Sequence, residues 1–110
     1  MICVAQASRV AMKKATFSHI PDEIKQYRAL YKGHRFWVFE NDKENPYQGW
    51  ATDHDVLLYD RDCGDLIAVG SYEPDGRILG CVLWGQGVDF GASDAKDMIA
   101  QTLNIAKWYR

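Results

Sequence analysis

A chain of 110 residues, 47% apolar and 25% charged with a net charge of −2, has the composition of one globular domain and excludes a disordered or fibrous polypeptide. No apolar run nears the roughly 18 residues of a membrane span, and the slight acidity excludes the broad basic surface of a general nucleic-acid binder. The balance is nevertheless uneven: residues 1–35 hold seven Lys or Arg against two acids, whereas Glu40–Asp65 holds eight acids against Lys43 and Arg61.

Residues 1–11, MICVAQASRVA, have neither clear period nor cap and read as a disordered or edge-strand extension, leaving residues 12–110 as a single domain. Gln6, Ser8 and Arg9 interrupt any secretory apolar core. Cys3, Cys63 and Cys81, widely spaced and without a C-x-x-C pair, read as reduced thiols, so cytoplasmic residence is expected. Lys14–His19 has modest strand character. Pro21 suits a first helical position, Asp22 and Glu23 favour a helix start, and Ile24, Tyr27, Leu30 and Tyr31 recur at helical spacing, so a helix is predicted over Pro21–Lys32, ended by Gly33.

Arg35–Glu40 reads as a strand by its aromatic and branched residues. Asn41–Gly49 is a polar loop, after which Trp50–Thr52 and Val56–Tyr59 read as one strand bulged around Asp53-His54-Asp55. The hairpin Leu66–Gly85 comes next, with Pro74-Asp75-Gly76 as a type I turn closed by a left-handed glycine. That turn sets Glu73 opposite Arg77, Gly70 opposite Gly80 and Val69 opposite Cys81. Leu66, Ala68, Gly70 and Tyr72 then share a face with Ile78, Gly80, Val82 and Trp84, while Ile67, Val69, Leu79, Cys81 and Leu83 form the other. Both faces are apolar, so both need a cover. The paired glycines form a saddle on which a helix can come close. Val88–Phe90 adds a short strand, and a helix capped by Ser93 runs over Asp94–Tyr109. The expected fold is α+β: a mainly antiparallel four- or five-stranded sheet between an N-terminal and a C-terminal helix, order α-β-β-β-β-α.

Few residue patterns carry chemistry. Asp53-His54-Asp55 is the one tight cluster of His and carboxylates, but strand alternation points His54 away from its neighbours, so no metal centre or catalytic residue is assigned. Asp60–Asp65 lacks the sixth-position glycine and twelfth-position glutamate of a calcium loop. Gly85-x-Gly87-x-x-x-Gly91 precedes a helix as phosphate loops do, yet Asp89 and Asp94 stand where a cation is needed. No cofactor is expected, and an enzyme is the less favoured reading.

The order of elements, with GASDAKDMIAQTLNIA at the last helix, is similar to the double-stranded RNA-binding domain, whose final helix meets phosphate through lysines. Ser93, Asp94, Lys96 and Asp97 stand at those positions here, so nucleic acid is not the expected partner. Val69–Tyr109 resembles the antitoxin fold in its hairpin, short strand and helix, and the chain's texture is similar to small proteins of phages and other mobile genetic elements. The favoured reading is a protein-interaction or regulatory module that self-associates as a homodimer, with a basic protein surface as a further partner for the acidic segment. The alternative is a pocket for a small cationic or aromatic ligand, lined by Trp37, Tyr47, Trp50, Asp53, His54, Asp55, Tyr59 and Trp84.

Overall fold

The computed structural model describes residues 19–47, 53–83 and 88–106. Six antiparallel strands follow one another in chain order: β1 (Arg28–Lys32), β2 (Phe36–Glu40), β3 (Val56–Asp60), β4 (Asp65–Tyr72), β5 (Ile78–Val82) and β6 (Val88–Ala92). A four-residue helix, α1 (Asp22–Lys25), precedes the sheet and an eleven-residue helix, α2 (Ala95–Ile105), follows it. The class is α+β as expected, with six strands rather than four or five.

The extra strand comes from the segment predicted to be helical. Only Asp22–Lys25 of Pro21–Lys32 is helix, and Arg28–Lys32 pairs with β2. The apolar spacing of Ile24, Tyr27, Leu30 and Tyr31 is real, but a register shift between Ala29 and Tyr31 distributes it over two faces. Ile24 and Tyr27 join one core cluster, while Leu30 and Tyr31 pack on the other. Gly33 does not end a helix: its N–H donates to the Phe36 carbonyl at 3.0 Å and closes the β1–β2 turn.

The β4–β5 hairpin has the expected register, with Val69 opposite Cys81 and Gly70 opposite Gly80. Glu73 N–H donates to the Arg77 carbonyl at 2.7 Å, and Gly76 takes the left-handed φ of 89° that the turn requires. The expected faces fail at one point. A shift between Leu58 and Tyr59 pairs Ala68 with Leu58 and Leu66 with Tyr59, so Ile67 joins Ala68 in the first cluster and Leu66 turns to the second. The glycine saddle is not filled by helix backbone. A Cβ on Gly80 would collide with the Phe90 ring, and one on Gly70 with Ile78 Cγ2.

Helix α2 lies on β6 and β5 and reaches β1 and β2, burying Met98, Thr102 and the capping Ala106 against Val38, Leu58, Val82 and Phe90. Its N-cap is Asp94 rather than Ser93: the Asp94 carboxylate accepts from Asp97 N–H at 2.8 Å, and the Asp97 carboxylate accepts from Ser93 N–H at 2.9 Å. The opposite face is covered over β2–β4 by Ile20, Ile24 and Tyr27, which pack on Phe39, Leu57, Tyr59, Leu66 and Val69. The open second face that argued for a dimer is therefore filled there from within the chain.

Cys63 is disulfide-bonded, which corrects the reading of three reduced thiols, whereas Cys81 is a free, half-buried thiol. No helix among the described residues is long and apolar enough to cross a membrane. The 1–11 extension, most of the Lys14–His19 strand, the Trp50–Thr52 strand and the end of the last helix lie outside the described residues.

Candidate functional site

A concavity forms where β1, β2 and β4 meet Asn41, Lys43 and Asp55. A cleft of about 480 Å³ opens between Arg28, Glu40, Lys43, Asp55 and Tyr72. A second, of about 250 Å³, lies against Asp53, His54, Asp55 and Pro46 and shares Asn41, Lys43 and Asp55 with the first.

Asn41 builds this corner. Buried directly after β2, it donates through Nδ2 to the His54 carbonyl at 2.7 Å, and its Oδ1 accepts from Asp42 N–H at 3.1 Å and Tyr47 N–H at 2.8 Å. Its own N–H donates to the Asp55 carbonyl, and Asp55 N–H donates to Gly70, both at 2.8 Å. A short side-chain amide thus holds both ends of the loop, as an Asn at the end of a strand readily does.

The charges of the cleft are arranged in opposite pairs. Lys43 Nζ lies 2.8 Å from Asp55 Oδ1, and Asp55 Oδ2 accepts from Tyr72 N–H at 2.9 Å. Arg28 Nη1 lies 3.0 Å from Glu40 Oε1, and the Tyr72 hydroxyl donates to Glu40 Oε2 at 3.1 Å. Partial burial pushes the Asp55 carboxyl up, but the Lys43 ammonium and the Tyr72 amide outweigh it and hold Asp55 below its ordinary value. Burial and the neighbouring Glu40 push the Tyr72 phenol up to about 12, so it stays protonated at neutral pH. The arrangement can donate and accept hydrogen bonds, but it holds no activated nucleophile.

Asp53, His54 and Asp55 are thus brought together on one wall, although Asp55 is turned toward Lys43 and β4. Among the described residues no three His, Cys, Asp or Glu side chains are grouped to hold a metal ion. Of the aromatic residues expected around a ligand, the described Trp37, Tyr47 and Tyr59 do not line these clefts. Tyr59 is only 4% exposed, within the second core cluster. Trp37 packs beside Phe39 with ring centroids 5.9 Å apart and carries the Lys32 ammonium 5.4 Å from its own. Tyr47 meets Tyr27 edge-on at 6.3 Å. Trp50 and Trp84 lie outside the described residues.

Neither a protein-family model, nor a curated protein, nor a solved structure matches the chain. What the residues do in the fold must therefore carry the reading. The residues that sequence reasoning passed over are Arg28, Glu40, Asn41, Lys43 and Tyr72, which come from three separate stretches. Only Asn41 carried a local signal, as an Asn between a strand and a polar loop.

The same pairing accounts for the uneven charge. Glu40 and Asp55 are paired at this corner, and Asp60 and Asp62 are paired with Arg35 at the opposite end of the strands, at 2.8 and 3.3 Å. Four of the eight acids of Glu40–Asp65 thereby meet a cation, three of them Arg28 or Arg35 of the basic N-terminal third.

Proposed function

We propose that this chain is a protein-interaction module that self-associates as a homodimer through the β5–β6 end of its sheet. The supporting observation is where large apolar side chains remain in water: besides Tyr72 at the cleft, these are Leu79, 53% exposed on β5, and Val88, 41% exposed on β6, while the other apolar side chains of β2–β4 are buried or half-buried. Exposed apolar side chains beside a strand edge that is unpaired among the described residues are the composition of an association surface. A pocket for a cationic guest is the weaker reading, because Lys43 and Arg28 already meet the carboxylates a guest would seek. Sedimentation velocity across a concentration series tests the proposal. A shift from monomer to dimer below about 0.5 mM is expected, and a single monomeric species throughout that series refutes it.

A further inference from the structure

The two edges of the sheet differ in how they are guarded. Edge β1 carries a register shift between Ala29 and Tyr31 and is flanked by Arg28 and Lys32, features that discourage strand addition. Edge β6, VDFGA, pairs with β5 without a shift and carries no Lys, Arg or Pro.

The register shows which backbone groups of β6 are available. Leu83 N–H donates to the Ile67 carbonyl at 2.9 Å, which fixes this as a hydrogen-bonded pair. By antiparallel alternation, Leu79 and Cys81 also bond toward β4, whereas Ile78, Gly80 and Val82 bond toward β6. Their partners are Ala92, Phe90 and Val88. Asp89 and Gly91 therefore direct their N–H and C=O groups outward.

The side chains supply a charge match beside these groups. Asp89 and Arg77 are exposed, and neither has an ion-pair partner among the described residues. Arg77 Nη2 lies over Gly91, 3.2 Å from where a Cβ would stand. Resting on the self-association proposed above, we propose that two copies join antiparallel through β6 about Phe90, setting Asp89 of each chain opposite Gly91 of the other. All outward groups of Asp89 and Gly91 then pair, giving four hydrogen bonds across the two-fold axis. Each Asp89 carboxylate approaches the Arg77 guanidinium lying over the facing Gly91. Centring on Asp89 would set two carboxylates against each other, which is unfavourable. Centring on Gly91 would bring Asp89 to Ser93, whose N–H is already given to Asp97. Phe90 needs no rearrangement, because its ring lies on the helix side over Gly80.

Equilibrium sedimentation of the full chain and three variants tests the interface. Gly91→Pro removes two of the four hydrogen bonds without touching the β5 ladder and is expected to weaken the dimer about 30-fold. Asp89→Arg is expected to weaken it about tenfold or more, and adding Arg77→Asp is expected to restore most of that loss. Unchanged circular dichroism and thermal midpoint show that each variant is folded. A dimer indifferent to Gly91→Pro and Asp89→Arg overturns this interface while leaving self-association intact. A parent chain that stays monomeric overturns both.

Discussion

Removing the Asp60 carboxylate is the sharpest test of what joins the strands at the end remote from the cleft. Asp60 is 0% exposed, and its two oxygens face one guanidinium, with Arg35 Nε 2.8 Å from Oδ1 and Nη2 3.0 Å from Oδ2. Oδ1 also accepts from Asp62 N–H at 2.9 Å, so the carboxylate ties the β1–β2 turn to the β3–β4 turn. Asp60→Ala leaves the Arg35 charge, 18% exposed, without its main counter-ion. Breaking one side of such a pair costs roughly 3–5 kcal/mol. Asp62, 3.3 Å from the same guanidinium, compensates in part and places the expected loss near the lower end, about 3 kcal/mol. That corresponds to a fall of about 10–15 °C in Tm for a domain of this size. Urea unfolding followed by tryptophan fluorescence measures it directly. The double variant Arg35→Met/Asp60→Leu, which removes both charges, is expected to recover most of the loss. A loss below about 1 kcal/mol for Asp60→Ala, or a double variant no more stable than the single one, refutes the reasoning.

Gly80→Ala drives a methyl group into the Phe90 ring and is expected to lose about 1–3 kcal/mol by overpacking. Gly76→Ala meets no atom within 4 Å, so its smaller loss of about 1 kcal/mol comes from backbone strain at φ 89°; urea midpoints of both variants check the order. The folded-state value of Tyr72, about 12, lies above that of a free tyrosine. Its stabilisation is therefore fully present below pH about 10 and lost as pH rises toward about 12. Tyr72→Phe should remove that part of the alkaline slope, as followed by unfolding midpoints and phenolate absorbance, and an unchanged slope contradicts the assignment. Asp55 has the opposite sign: its depressed value stabilises the fold above the ordinary aspartate range and the contribution is lost as pH falls through the folded-state value. Lys43→Met should move the Asp55 titration upward in a carboxyl NMR experiment, because burial is then less opposed.

Local chemistry carried much of this fold. The Pro74-Asp75-Gly76 turn set the β4–β5 register, and the branched and aromatic run Phe36–Glu40 made a strand. The last helix was legible because Met98, Thr102 and Ala106 recur at helical spacing, although its cap is Asp94 and not the Ser93 expected from the sequence. The first helix was misread for a physical reason. Ile24, Tyr27, Leu30 and Tyr31 fit a helical period, but a short helix followed by a shifted strand buries the same four residues. Sequence spacing alone does not separate these solutions, because β2 rewards the second one with cross-strand pairing on both sides of the register shift.

The cleft was less legible. Asp53, His54 and Asp55 were recognised as a cluster, and they do line one wall. Lys43 and Tyr72, which meet Asp55, and the neighbouring Arg28–Glu40 pair are brought in by the pairing of β1 with β2 and by the Asn41 knot. Aromatic residues at strand spacing suggested a pocket, but Tyr59 and Trp37 lie on the sheet face covered by Ile20, Ile24 and Tyr27.

By itself, the sequence determined the β4–β5 turn, its hairpin register and the presence of two apolar sheet faces, since each rests on residues near one another in the chain. It also showed the opposed charge of the first third and the acidic middle. Tertiary structure alone decided which acids meet which cations, which half of the second face is covered, and that β1 and β6 form the two edges of the sheet among the described residues. Those outcomes depend on strand order and on the β1–β2 and β3–β4 register shifts, which are set by packing between distant segments and leave no local mark in the chain.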